Sequence, residues 1–184
     1  MTISFDAYTI TKIQEKDAWP LCDFMISNTD RFKDYFPLTL KENLTPTLSE
    51  IFVQKKVKEF HLKQEFLFTI KKNTNKNIVG LVYVKELHKK QGQGEFAYCI
   101  GYPYTGKGIM SKAIQQLIPW CFKEAALDTL QIIVHNSNKA SIKVAEKNSF
   151  NWIQTLPKEH QVANGEYLDM ELYELYNKKQ TNQY

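Results

Sequence analysis

With 184 residues, a formal charge of +4, 43% hydrophobic and 24% charged residues, the chain can bury one self-sufficient core and falls outside the disordered, fibrous and strongly charged classes. Its lysines are scattered, with Lys55-Lys56, Lys71-Lys72 and Lys89-Lys90 as the tight pairs of the body, a pattern that disfavours a nucleic-acid stripe. No stretch approaches the ~18 uninterrupted apolar residues of a membrane span, the start MTISFDAYTI lacks the basic opening of a signal peptide, and Cys22, Cys99 and Cys121 are odd in number and set in apolar sequence, so a cytoplasmic protein with buried thiols is expected.

Residues 4–13, rich in Tyr, Thr and Ile, read as a strand. Asp17 is placed to cap a helix reaching about residue 28, with Pro20 in its first turn, where the missing N–H would have no partner anyway. TLSE at 47–50 has the form of a capping box and predicts a second helix to about residue 63. Phe66, Phe68 and Ile70 alternate within EFLFTIKK; NTNKN breaks that strand, IVGLVYVKEL begins another, and after the turn HKKQGQG the stretch EFAYCIGY completes a meander. From Gly108 onward Ile109, Met110, Ala113, Ile114, Leu117, Ile118 and Cys121 form one wide helical stripe, with Pro119 on the polar side bending the helix. LQIIV then reads as a strand, NKASIKVAEKN as a helix opened by Asn138, and FNWIQTL with EYLDMELYEL as a closing pair of strands. The expected order is β-α-α-β-β-β-α-β-α-β-β, an α/β (α+β) mixed-sheet domain over 1–176 with a polar tail over 177–184 and no internal repeat.

Of the seven glycines, all but Gly165 lie between Gly80 and Gly108, and Gly106 and Gly108 flank Lys107 directly ahead of the long amphipathic helix. Glycines at a helix start let backbone amides approach an anion, whereas the bland reading is a flexible turn. Gly101 to Lys107 nearly spells a P-loop, but Gly108 stands where a metal-binding hydroxyl is needed and the preceding strand belongs to a meander. A dinucleotide fingerprint fails because Ser111 occupies the place of its third glycine.

The stretch Thr105-Gly106-Lys107-Gly108-Ile109-Met110 resembles the coenzyme A loop of the GNAT N-acetyltransferases, Q/R-x-x-G-x-G/A, with Thr105 and Met110 as departures. GEFAYCI resembles the strand that Rim-type members, acetylators of ribosomal-protein N-termini and related amines, write as E-x-G-Y-W-I. NKASIKVAEKNSF is similar to their N-x-x-S-x-x-x-x-x-k-x-G-F, with Ser149 in the glycine position, and NGEYLDMELYEL to their last hairpin strand.

The resemblance implies a GNAT fold and an N-acetyltransferase that moves the acetyl group of acetyl-CoA, held as co-substrate without a metal, to a primary amine. Loop amides from Thr105 to Met110 would bind the pyrophosphate, and the strand edge Tyr98-Cys99-Ile100 would pair with the pantetheine arm while one N–H polarises the thioester. Glu95 is the implied base, acting through water, against the alternative of a solvent-facing strand glutamate. Ser141 is the implied proton donor or sulfur partner, against a hydroxyl bonded locally in its helix, and Asn138 either contacts the cofactor or only caps that helix. Ala145 lies near the place where the family often keeps a tyrosine. The acceptor is a protein N-terminus or a small amine, no membrane partner is implied, nucleic acid is disfavoured, and a homodimer is left open. Two rivals keep their place: a non-catalytic acyl-CoA sensor of the same fold, and an RNA- or ribosome-binding module using lysines and aromatics. His61, His88, His135 and His160 share no ligand spacing, Cys99 and Cys121 read as inert core thiols, and Trp152 or the aromatics from Phe32 to Phe36 are candidates to line an acceptor cleft.

Overall fold

The computed structural model describes residues 1–88, 91–162 and 165–178; the Lys89-Lys90 pair and the tail beyond residue 178 lie outside them. The first expected strand is instead a hairpin, β1 (Thr2–Phe5) and β2 (Tyr8–Lys12), reversed at Asp6 and Ala7 with Asp6 at φ 45°, a conformation that aspartate tolerates better than most residues. A short 3-10 turn at Glu15–Asp17 leads into α1 (Ala18–Ile26), with Pro20 in the first turn. Asp17 does not cap α1 with its side chain: the carboxylate is buried, accepting the Gln14 N–H at 3.1 Å and pairing with Lys71 Nζ at 2.6 Å. Two short helices follow, α2 (Thr29–Phe32) and α3 (Pro37–Lys41), too brief to leave a periodic signature in the sequence. The cap of α4 (Pro46–His61) is Thr45 rather than Thr47, its hydroxyl taking the Leu48 N–H at 3.3 Å, because Pro46 is preorganised for the first helical position.

The meander is β3 (Phe66–Lys72), β4 (Ile78–His88) and β5 (Gln93–Ile100). After it come α5 (Ile109–Lys123), β6 (Thr129–Val134), α6 (Lys139–Lys147), β7 (Asn151–Gln161) and β8 (Tyr167–Tyr176). The eight strands form one sheet in the order β1-β2-β3-β4-β5-β6-β8-β7, antiparallel except where β5 meets β6. β7 continues past the expected end at Leu156 because Pro157 sits at a register shift on an edge strand, where its missing N–H interrupts no ladder.

A hydrophobic layer fills each face of the sheet. Ile109, Met110, Ala113, Ile114, Leu117 and Cys121 of α5 are all buried against Phe66, Phe68, Ile70 and Phe96, as the stripe predicts, while Pro119 is exposed within an unbroken helix. On the other face α1 and α4 cover Leu67, Leu81, Tyr83 and Cys99. β3 therefore buries both faces, which explains its nearly continuous apolar run.

α6 ends in a paired motif: Ser149 N–H bonds Glu146 O, Phe150 N–H bonds Ala145 O, both at 3.1 Å, and Ser149 takes φ 61° at the position glycine favours. Ser149→Gly is expected to stabilise the fold by up to about 1 kcal/mol, the relieved left-handed strain partly offset by a freer unfolded chain. Chemical denaturation checks it through a higher midpoint at unchanged slope.

Candidate active site

β5 and β6 share a parallel ladder only from Gln93↔Thr129 to Glu95↔Gln131, although β5 runs on to Ile100 and β6 to Val134. Beyond Glu95 the two strands part. On β5, Gly101 N–H bonds Val79 O of β4 at 2.9 Å, so strand alternation turns the main-chain groups of Tyr98 and Ile100 the other way, into the gap. The Ile100 carbonyl accepts Arg31 Nε at 3.0 Å there. Cys99 presents its main chain to β4 and its thiol to the core, where burial pushes the thiol up to about 12 and leaves it inert.

One cavity of about 650 Å³ opens from this gap and contains Tyr98, Cys99, Ile100, Thr105, Gly106, Gly108, Ile109, Met110, Asn138 and Ser141 on its walls. Gly106 at φ 75° and Gly108 at φ 74° are both left-handed, and a side chain at either would meet open space, so backbone conformation rather than crowding selects glycine. The first intrahelical bond of α5 is Lys112 N–H to Gly108 O at 3.1 Å; the amides of Ile109, Met110 and Ser111 ahead of it have no carbonyl one turn back. With the dipole of a fifteen-residue helix behind them, these amides suit an anion. Lys107 is exposed and off the cavity wall, and the Met110 side chain packs in the core, leaving that residue only its amide to offer. Thr105 Oγ1 is buried without a hydrogen-bond partner beside the same loop.

Asn138 does cap α6, accepting the Ser141 N–H at 3.1 Å, and it also faces the cavity. The Ser141 hydroxyl lies 2.7 Å from the hydroxyl of Tyr98, whose phenol burial pushes far above its usual value, so it stays protonated. This pair joins residues 43 apart in sequence, and the side chain of Tyr98 was given no role by sequence reasoning. Asn148 was missed as well: its buried amide donates to Ser111 O at 3.1 Å, Ser111 Oγ at 3.2 Å and Val144 O at 2.8 Å, tying α6 to the first turn of α5.

A second cavity, about 1100 Å³, meets the first along Tyr35, Phe36, Tyr98, Asn138 and Ser141. Glu95 stands on its wall with Glu86 and Glu159. Burial raises the Glu95 carboxyl above its usual range, Lys85 Nζ at 3.2 Å opposes that rise, and Glu86 and Glu159 add to it. β7 reaches over this cavity from its register shift: His160 stacks on Tyr35 at 5.4 Å and its Nε2–H donates to Asp34 O at 3.2 Å. Phe36 lies on this wall, whereas Phe32 lines the first cavity and the half-exposed Trp152 lines neither, donating instead to Glu171 at 2.6 Å. The cavities differ in charge. The first is lined by Arg31, Lys139, Lys143 and Lys147 and, among the described residues, by no carboxylate; in the second, Lys55, Lys56 and Lys85 are paired with Glu42, Glu65 and Glu95, leaving Glu86 and Glu159 against Lys41.

Among the described residues no helix is long and apolar enough to cross a membrane, and no three His, Cys, Asp or Glu side chains converge as a metal site. The family model described as acetyltransferase (GNAT) domain matches residues 8–151. An N-acetyltransferase of Bacillus licheniformis, p20, is 22% identical over 95% of both chains. Among solved structures, a ribosomal-protein-S5-alanine acetyltransferase from Vibrio fischeri superposes with a TM-score of 0.91 at 22% identity, covering 97% of this chain and 98% of that one. RimL, a ribosomal L7/L12 α-N-protein acetyltransferase in complex with coenzyme A, superposes at 0.86 with 16% identity, covering 96% and 98%.

Proposed function

The chain belongs to the GNAT acetyltransferase family and is an N-acetyltransferase, and from that premise we propose that acetyl-CoA occupies the first cavity and a primary amine, of a protein N-terminus or a small molecule, enters through the second. The observation that carries the reading is the meeting of a cationic and an acidic cavity at the Tyr98–Ser141 hydroxyl pair. An anionic thioester carrier fits the cation-lined side. A cationic amine fits the other.

The amides at the mouth of α5 hold the diphosphate, and the freed main chain of Tyr98 and Ile100 hydrogen-bonds the extended arm as an added strand would. An N–H of that edge polarises the thioester carbonyl as charge develops on its oxygen. Glu95, whose raised carboxyl is a better proton acceptor than an ordinary glutamate, takes the proton from the incoming ammonium, through water where the amine stands beyond direct reach. The amine nitrogen then bonds to the acetyl carbon, the carbon–sulfur bond breaks, and the nitrogen sheds its second proton, which balances the one gained by the departing sulfur. Ser141, backed by the protonated Tyr98 phenol at 2.7 Å, supplies the hydrogen bond or proton that the departing sulfur requires. The acetylated ribosomal proteins in the names of the structural relatives support a protein N-terminus as one acceptor to try first.

Titration calorimetry with acetyl-CoA, followed by thiol release over a panel of peptides with free N-termini and small amines, tests the proposal. Saturable binding and amine-dependent release are expected. Absence of binding to acetyl-CoA and to free coenzyme A overturns it.

A further inference from the structure

We infer that α6 carries the subsite for the 3′-phosphate of coenzyme A, formed by Lys139, Lys143 and Lys147 along the wall of the first cavity. The inference rests on the reading that this cavity holds the carrier. A spacing of four residues on a helix stacks three ammonium groups on one face, an arrangement that like-charge repulsion disfavours unless an anion lies opposite. Three exposed lysines elsewhere on the molecule have found carboxylates, Lys33 with Asp30, Lys55 with Glu42 and Lys112 with Asp6, and others such as Lys58, Lys76 and Lys123 stand singly in solvent away from either cavity. What sets the α6 row apart is that three lysines stack along one cavity wall. Among the described residues no such partner is in ion-pair range of these three, and Glu146, three positions from Lys143 on the same helix, does not pair with it. The remaining cation of the cavity, Arg31, is already committed to the Ile100 carbonyl.

Position favours the ribose phosphate over the diphosphate. The diphosphate has its own donors in the loop amides and the dipole of α5, and the 3′-phosphate hangs one sugar ring beyond it. Asn148 locks α6 against the first turn of α5, so the cation row is held at a set distance from those amides. Lysine suits such a subsite, because a phosphate monoester offers its charge in several directions and a mobile point charge meets it without the planar register that arginine imposes.

Dephospho-CoA keeps the diphosphate and lacks only the 3′-phosphate, so calorimetry with CoA and dephospho-CoA isolates the subsite. The wild type is expected to prefer CoA by about tenfold at low salt, the scale of a few exposed charge pairs, with the preference shrinking as salt rises. In Lys139→Gln/Lys143→Gln/Lys147→Gln the ratio should fall to about one, while the affinity for dephospho-CoA stays within about twofold of wild type. Equal weakening of both ligands overturns the inference, because the lysines would then serve the diphosphate. So does a wild-type ratio near one, or a ratio that survives the triple change. Failure of the wild type to bind either ligand sinks the cavity reading itself. Should circular dichroism show the triple variant to be misfolded, single lysine-to-glutamine variants replace it, each expected to lower the ratio by about twofold and any unchanged set counting against the subsite.

Discussion

Glu95→Gln is expected to lower kcat/KM for the best amine of the panel by roughly 100- to 10,000-fold at neutral pH, the span that a positioned base contributes. The substitution keeps the shape of a side chain only partly exposed between Lys85 and the second cavity, and removes its capacity to accept a proton. Acetyl-CoA affinity should be unchanged, since Glu95 is absent from the cation-lined wall. The pH profile supplies a second check. Burial, with Glu86 and Glu159 adding to it against Lys85, raises the folded carboxyl, so the wild-type acid limb should stand above the ~4.3 of an ordinary glutamate. Activity is lost as pH falls through that raised value. In the variant, activity should climb with the fraction of free amine, so its deficit narrows toward alkaline pH. The same raised value makes stability fall as pH rises through the window between the unfolded and folded carboxyl. A variant that keeps more than about a third of wild-type kcat/KM at neutral pH, a loss far short of what a positioned base supplies, removes Glu95 from the role of base.

How much of this site was legible beforehand depends on how local each signal is. Gly106 and Gly108 could be singled out because left-handed backbone and an immediately following amphipathic stripe are both local properties. Asn138 could be named for the same reason, since a cap bonds within three residues. The Tyr98–Ser141 contact could not, because the strand that presents Tyr98 and the helix that presents Ser141 are brought together only by the sheet order and by the parting of β5 from β6. Asn148 was hidden behind an ordinary helix ending, although its amide joins two helices. Asp17 shows the opposite failure. Its place ahead of an apolar periodic run is a sound capping signal, but a buried lysine 54 residues later claims the same carboxylate. Family resemblance supplied what local signals lacked: it placed Glu95 and Ser141 in one site that spacing alone could not assemble.

Asp17→Ala should be the most damaging single change to stability, at about 3–5 kcal/mol, the usual cost of leaving one member of a buried ion pair uncompensated. Asp17 is 2% exposed and Lys71 8%, and their charged atoms are 2.6 Å apart. Truncation strands the Lys71 ammonium between β2 and the 3-10 turn that opens α1, and it also frees the Gln14 N–H that the carboxylate had accepted. In a domain of this size the loss corresponds to a melting point lower by about 10 °C or more. Adding Lys71→Met to the Asp17→Ala background removes the stranded charge and fills its volume with an apolar chain, so most of the loss should be recovered. Neither residue touches either cavity, so coenzyme A affinity measured well below the melting point should be the same for wild type, single variant and double variant. A double variant no more stable than Asp17→Ala would show that the damage comes from the lost Gln14 contact and the vacated volume. The charge would then have little part in it, because an ion stranded at this depth cannot be removed without a gain.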